Sequence, residues 1–485
     1  MANKYSYLAK NTVIFTISSF GSKLLAFLLV PFYTNVLSKA EYGTADIVTT
    51  TSNLLVFAVT LCIADAVMRF AIESVESRYG VFRYGLKVVL TGCSIFGILL
   101  FGFSLLDPVH WSGSLYLLLF LSVLTNALNQ LVSNYLRAID EITSVAVMGI
   151  LTTAITIICN LVLLLRFKLG VEGYLLSFVA GIALASVYGF IIIWKRDRAC
   201  FSQICDGSTG KLMIAYSFPL VFNGLAWWVN GSLDRYCILL FHGAALNGLY
   251  AVASKIPTVI SVVNQIFSQA WGLSAIKEFD GEDRDGFFRN IYALYNGVLV
   301  VSCSLLILLN IPLAKILFAK DFFVAWQYSS VLVISAVFSA LSGFLGSIFA
   351  AVKKSRIFAV STIAAALINT VLNLLLIPRF GALGAGAATG IAFFAVWLIR
   401  LVCAKRYLKL SVSLTRDCVC YGLIVAQVAA EHLDGHLYWV QGCIFTLILA
   451  LYWKEIWQMT KRIGKMIRAF QSRRAQRPDE RNEDR

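Results

Sequence analysis

Apolar runs of roughly the length a bilayer-crossing helix needs, about 20 residues, follow one another along almost the whole chain, with only short polar breaks between them. About fourteen can be marked, over 11–36, 44–68, 84–106, 114–136, 144–165, 172–194, 214–240, 247–273, 289–313, 324–350, 356–378, 383–404, 414–431 and 438–457. In hydrocarbon every backbone N–H and C=O must be bonded inside the protein, which a helix does within itself. The expected fold is therefore an all-α integral membrane protein. Water is excluded as the solvent by composition. The chain is 59% hydrophobic and 14% charged, against about 45–50% and about 25% in soluble domains. The first apolar run continues past Pro31 without a small-residue cleavage site, so it reads as a span and not as a removable signal.

The net charge is +15, and its placement says why. Loops after even-numbered spans carry Arg78, Arg83, Arg137, Lys195, Arg196 and Arg198, then Lys353, Lys354, Lys405 and Arg406. Loops after odd-numbered spans carry few cations. By the positive-inside rule both termini are expected in the cytoplasm, and nucleic acid is not an expected partner. From Lys454 to Phe470, Ile456, Trp457, Ile463, Met466, Ile467 and Phe470 recur at helical spacing among lysines and arginines. That pattern suits a basic helix lying on anionic lipid, and equally a solvated cytoplasmic tail. The 11 cysteines show neither zinc-ligand spacing nor a secreted disulfide framework. No cofactor or metal site is expected. His110, His242, His432 and His436 fall in outer loops, as do the carboxylates Asp107, Glu172, Asp321, Glu431 and Asp434. Those loops are too short to build a glycosyltransferase or polymerase site.

An internal repeat is visible. Asn160, Arg166-Phe167 and Gly173 have the same spacing as Asn373, Arg379-Phe380 and Gly386. Glu41-Tyr42-Gly43 is echoed more faintly by Gly248-Leu249-Tyr250. Repeats of this kind mark secondary transporters, with substrate held between the halves. The expected organisation is a six-helix bundle over 1–194, a cytoplasmic linker over 195–213, a second six-helix bundle over 214–404, two further helices over 405–457 and a basic tail over 458–485.

Three stretches carry a family resemblance. Val30-Pro31-Phe32-Tyr33-Thr34 leads to Leu37-Ser38-Lys39-Ala40-Glu41-Tyr42-Gly43. Ser217-Phe218-Pro219 leads through Leu233-Asp234-Arg235 to Gly248-Leu249-Tyr250-Ala251 and Ser254-Lys255. Ile368-Asn369 leads through Leu376-Ile377-Pro378-Arg379-Phe380-Gly381 to Gly384-Ala385-Gly386-Ala387-Ala388-Thr389. Over residues 5 to 405 the chain resembles the Wzx-type oligosaccharide flippases of the multidrug/oligosaccharidyl-lipid/polysaccharide exporter superfamily. The resemblance implies two bundles around a central cavity, a place in the bacterial cytoplasmic membrane, and a polyprenyl-pyrophosphate-linked oligosaccharide as cargo for surface polysaccharide. It also implies polysaccharide-assembly proteins as partners and no enzyme; uphill transport of such a cargo would need a coupling ion, a proton or sodium.

Such a cargo needs cations inside the membrane. An intramembrane charge is expensive, so it marks a functional site by default. Lys23 lies midway along the first span, and Lys255 just before Pro257 in the eighth; both suit phosphate oxygens. Arg69, one turn after Asp65, fits either a cationic contact or an i,i+4 ion pair with that aspartate. Of Asp234 and Arg235, adjacent on one helix, one is expected to face the cavity and the other the headgroups. Asp65 and Asp234 are the candidates for ion coupling. Asn126, Asn129, Gln130 and Asn134 form one polar stripe, and Asn264 and Gln265, with Gln269, a second cluster. These amides suit sugar recognition or interhelical hydrogen bonding. Pro31, Pro219 and Pro257 are expected to bend their helices. The glycine-rich run from Gly384 to Gly390 reads as close helix packing, not a nucleotide loop. The nearest rival function is a multidrug/cation antiporter of the same superfamily, followed by a membrane glycosyltransferase or polymerase.

Overall fold

The computed structural model describes residues 27–73, 78–106, 111–201, 205–277, 282–283, 286–352, 354–409, 413–433, 437–455 and 457. Among these the regular structure is helical throughout. Eight helices are long and apolar enough to cross a bilayer, or up to ten if each of two bent pairs makes one span. That is short of the fourteen marked in the sequence. Part of the difference is that Ser355–Ala404 counts once although its backbone breaks at Gly381, with φ 56° and ψ −132°. Most of the first expected span, with Lys23, and the basic segment from 458 on lie outside the described residues. The surface fits lipid: Ile98, Leu99, Phe101 and Leu106 on one long helix are all exposed, a patch that water would not tolerate.

The chain packs as two compact units. The first holds the described residues up to Lys255, with Ala314–Ala325 and Ala366–Ala388. Its helices are α1 (Val30–Val36), α2 (Lys39–Thr60), α3 (Ile63–Glu73), α4 (Arg78–Leu106), α5 (Gly113–Ala138), α6 (Ile142–Asn160), α7 (Gly170–Arg196), α8 (Gly207–His242) and α9 (Ala244–Ala253). Pro31 stands in the first turn of α1, where a proline's missing N–H is harmless. Helix α2 starts at a capping box. Ser38 Oγ accepts the Glu41 N–H, and the Glu41 carboxylate accepts the Ser38 N–H at 2.8 Å. It ends where Leu61 and Cys62 both turn to positive φ, and α3 leaves at 54°. This break sets Asp65 on a new axis beside α5. Helix α8 runs unbroken through Pro219, while Pro257 closes a turn over 254–257 after α9.

The repeat has a structural counterpart. Asn160 and Asn373 are both fully buried. Each Arg-Phe pair stops at a backbone break with positive φ, at Lys168 and Gly170 in one case and at Gly381 in the other. The fainter echo turns out to be a contact. A Cβ on Gly43 would overlap the Ala244 carbonyl oxygen, and one on Gly248 would overlap that of Lys39. Here α2 and α9 cross backbone to backbone, as only glycine permits. At this end Lys320 Nζ donates to the Asn35 carbonyl at 2.6 Å, Lys39 faces Asp321 at 3.9 Å, and His242 Nε2 meets the Ile377 carbonyl at 2.8 Å. At the other end Arg196 pairs with Glu141 at 3.0 Å and Tyr135 donates to Asp197 at 2.7 Å.

The second unit holds Ile256–Leu313, Trp326–Ala365 and the described residues from Thr389 on. It contains α10 (Thr258–Lys277), α11 (Phe287–Leu308), α13 (Trp326–Ala351), α15 (Leu414–His432) and α16 (Tyr438–Leu451); α12 (Asn310–Leu317) and α14 (Ser355–Ala404) are shared. Stacked rings hold α10 to its neighbours: Phe267 on Tyr295 at 3.9 Å and Trp271 on Phe344 at 4.3 Å between centroids. Two carboxylates expected in loops are helical instead. Glu172 sits in the first turn of α7, accepting from Ser114. Glu431 lies inside α15 and is fully buried, because α15 continues through His432.

Candidate binding site

The first unit contains a cavity of about 470 Å³ between α2, α3 and α5, within the range of small-molecule pockets, roughly 300–1,000 Å³. Asn53, Val56 and Phe57 line it from α2, and Asp65 from α3. Helix α5 supplies Asn126, Asn129, Gln130, Ser133, Asn134 and Arg137. The i, i+3/i+4, i+8 spacing of the amides puts them on one helix face, and that face is the wall. Asn134 Nδ2 donates to Asp65 Oδ1 at 3.1 Å, and Arg137 Nη1 donates to Asn134 Oδ1 at 3.1 Å. Asp65 is thus linked to Arg137 through an amide.

The expected Asp65–Arg69 pair does not form. Arg69 Nε bonds Glu73 Oε1 at 3.1 Å, and its guanidinium stacks over Tyr216 at 4.5 Å. Asp65 and Glu73 lie at i−4 and i+4 from Arg69, and Asn134 has taken the aspartate. Arg69 does not line the cavity.

A second charged cluster lies farther along α2. Asp46, Thr50, Asn53 and Phe57 recur at i, i+4, i+7 and i+11 and share a face. Helix α8 runs against that face. Arg235 Nη1 donates to Asp46 Oδ1 at 2.5 Å and to Thr50 Oγ1 at 3.4 Å. Trp228 Nε1 donates to the Thr50 carbonyl at 3.1 Å, and Gly224 leaves room for the Phe57 ring. Asn247 Nδ2 donates to the Gly43 carbonyl at 3.0 Å and approaches Asp46 Oδ2 at 3.4 Å. Asp234 is buried and accepts from Tyr250 and from the Arg235 N–H. Lys255 is half-buried within electrostatic reach of Asp46 and Arg235. Asp234 and Arg235 both point into protein, so neither faces headgroups as expected. The Arg235 Nε is buried and has no hydrogen-bond partner among the described residues.

The structure therefore gathers Asp65, Asn126, Asn129 and Gln130 at one cavity, and Asp234, Arg235 and Lys255 in one cluster about ten ångströms away along α2 at 1.5 Å per residue. Asn264 and Gln265 belong to the second unit and line neither; Asn264 Oδ1 accepts from Tyr295 at 2.6 Å and from Ser268 at 3.0 Å. Sequence reasoning missed Asp46 although it falls inside a marked span. It stands early in a capped helix, where an acid reads as a partner for the helix dipole. It also missed Arg400, which is buried in the second unit and satisfied by Ser361, Ser342 and Thr362 at 2.8–2.9 Å. Among the described residues no group of His, Cys, Asp and Glu is arranged to hold a metal ion.

A sequence model of the family described as polysaccharide biosynthesis protein matches residues 8–271. The chain is 23% identical over 273 residues to an uncharacterized membrane protein of Methanocaldococcus jannaschii, covering 51% of this chain and 62% of that relative. Among solved structures it is similar to the lipid II flippase MurJ in its inward closed conformation, with TM-score 0.69 and 14% identity over 92% of this chain and 99% of that one. It is also similar to an inward-facing multidrug resistance MATE family transporter of the MOP superfamily, with TM-score 0.65 and 12% identity over 82% and 96%. A MOP superfamily transporter from Pyrococcus furiosus, described by a reversed polarity of its binding pocket, follows at TM-score 0.57 and 12% identity over 82% and 94%. At these identities the likeness speaks for the fold alone.

Proposed function

Because this chain belongs to the polysaccharide biosynthesis protein family, we propose that it is a flippase carrying a polyprenyl-pyrophosphate-linked oligosaccharide from the cytoplasmic to the outer leaflet. The observation that carries the reading is the amide-walled cavity, with Asp65 and Arg137 in its lining, inside a helix bundle whose outer surface is apolar. Desolvated polar walls in a membrane protein line a substrate path. A lipid-linked oligosaccharide needs such walls for its head group, while its tail stays in hydrocarbon. Transport would follow alternating access, with no covalent chemistry and no nucleotide. In this reading the α2–α9 glycine crossing and the Asp46–Arg235 pair close the outer end, both termini are cytoplasmic, and the two bundles of the repeat rock about the cargo. Lys23, Lys255 and Arg235 are the proposed partners of the pyrophosphate. Asp65 or Asp234 would couple transport to a proton or sodium ion.

The test is to delete the gene and measure the leaflet distribution of polyprenyl-linked oligosaccharide in cells. Accumulation in the inner leaflet is expected, relieved by the wild-type protein and not by Lys255→Ala. Relief by both would keep the flippase and remove Lys255 from its site. No accumulation would overturn the reading in favour of drug or cation efflux.

A further inference from the structure

Two adjacent tryptophans on α8 are treated differently by the fold. Trp228 spends its indole N–H on the Thr50 carbonyl at 3.1 Å. Trp227 is 50% exposed, and its N–H makes no hydrogen bond among the described residues. Asn223, one turn earlier on the same helix face, is also exposed, and its amide is likewise unbonded among the described residues. One turn after Trp227, Gly231 has nothing within 4 Å of where a Cβ would stand. An amide, an indole and open space thus follow one another along one face.

Depth makes this face informative. Helix α8 runs from Gly207 to His242. At 1.5 Å per residue Trp227 is about 24 Å from Lys211 and about 23 Å from His242, so it lies near the middle of a hydrocarbon core about 30 Å thick. A tryptophan that only anchors a helix in lipid sits at the interface, where its N–H reaches water. At the middle, an unbonded amide and an unbonded indole N–H turned toward hydrocarbon would be costly. A face carrying both at this depth borders water or a polar ligand. Asn53 of α2 repeats the pattern: it is exposed, and its amide is unbonded among the described residues. The Trp228–Thr50 bond and the Phe57–Gly224 contact bracket it, which sets it at the level of Trp227. Asn53 lines the cavity of α2, α3 and α5, whereas Trp227 does not; the ledge on α8 lies outside that cavity.

The chemistry of the ledge selects its occupant. The face of an indole is electron-rich and takes either a cation or polarised C–H groups. The amide beside it is neutral and both donates and accepts. A hydroxyl matches it in either sense, and an organic cation without N–H or O–H matches it in neither. A pyranose offers C–H groups on one face and hydroxyls around its edge. We propose that Trp227 is a sugar-stacking residue of the transport path, its indole taking the C–H face of a pyranose while Asn223 meets a ring hydroxyl. The inference rests on the flippase reading and gives the glycan a contact outside the amide-walled cavity.

Two measurements on the purified full-length protein in nanodiscs test it. The first reads the surroundings of Trp227 without cargo. The fluorescence lost in Trp227→Phe is the part that Trp227 supplies, and iodide, which stays in water, should quench that part. Quenching by brominated acyl chains and not by iodide would make Trp227 a lipid-facing residue and overturn the proposal while leaving the flippase standing. The second compares binding of polyprenyl pyrophosphate with binding of the same lipid carrying N-acetylglucosamine. Wild type should prefer the sugar-bearing lipid at least tenfold. Trp227→Leu should reduce that preference about tenfold, the size of one good aromatic contact. Trp227→Phe, which keeps a ring, should retain most of it. An undiminished preference in Trp227→Leu, or equal loss of both lipids, would overturn the stacking role. Binding of neither lipid by wild type would overturn the flippase reading itself.

Discussion

Both units bury polar side chains in an apolar bundle, yet they use them differently. In the second unit most of the polar side chains bond one another, although Asn310 Oδ1 and Asp417 Oδ2 have no hydrogen-bond partner among the described residues. Ser304 donates to Gln427 Oε1 at 2.6 Å, and Gln427 returns a bond to the Ser304 carbonyl at 2.9 Å. Asn310 donates to Glu431 at 2.6 Å beside a 2.5 Å bond from Ser330. Tyr452 donates to Asp417 at 2.7 Å and accepts from Asn296 at 3.0 Å, while Arg416 reaches Glu455. These bonds staple α15 and the end of α16 onto α11, and α15 onto α12 and α13. In the first unit Asn126, Asn129 and Asn134 of α5 each donate to a protein partner, and their helix face still borders a cavity. The lesson is that a buried polar residue by itself identifies neither glue nor site; whether its helix face borders a cavity or another helix does.

The sharpest way to break this contrast is at Arg235. Arg235→Ala leaves Asp46 buried without its cation, a change that costs about 3–5 kcal/mol when an ion pair loses one member. Transport should fall to background, measured as oligosaccharide flipped per folded molecule in liposomes. Pairing it with Asp46→Ala should restore the thermal midpoint, because the stranded charge is gone. It should not restore transport if Arg235 also meets the cargo. Wild-type transport by the single variant would remove the cluster from the mechanism.

A middle-sized effect is expected on the other side of the contrast. Glu431→Ala strands the Ser330 hydroxyl, while the Asn310 amide keeps the Trp326 carbonyl and Ser330 Oγ as acceptors; one unsatisfied buried group costs about 1–3 kcal/mol. The midpoint of thermal unfolding in detergent should drop, while transport per folded molecule stays at the wild-type rate. A transport defect without a stability loss would make Glu431 part of the transport path and erase the distinction between the units.

How far the sequence alone foresees this depends on the kind of signal. The lipid-facing helices and the amide stripe of α5 were legible, because helical spacing is a local property and Asn126, Asn129, Gln130 and Asn134 obey it. The partner of Arg69 was not. Asp65 and Glu73 stand symmetrically about it, and the choice falls to Asn134, 69 residues from Asp65 in sequence. Glu431 was misplaced because hydropathy fades near the end of a span while the helix itself continues. The Gly43–Gly248 crossing showed as a faint echo, but nothing local says that two matching segments touch. The bond from Asn129 to Ser186, 57 residues farther along, appears only once the helices are packed.

The smallest effect is predicted where neither pattern holds. Lys409 bonds Glu282 at 2.5 Å on the exposed surface of the second unit. The hydrogen bond that the Lys409 ammonium donates to Glu282 holds it above its ordinary range. A raised folded-state value means that any stabilisation is complete at neutral pH and is lost only as alkaline pH passes that value. No change in stability is therefore expected from this pair between pH 6 and pH 8, and exposed pairs are screened by salt and held against side-chain entropy. Lys409→Ala should leave both the unfolding midpoint and transport where they are. A clear loss of transport with an unchanged midpoint would show that charge at this surface matters to the cycle, and the contrast between a working first unit and a stapled second one would have to be redrawn.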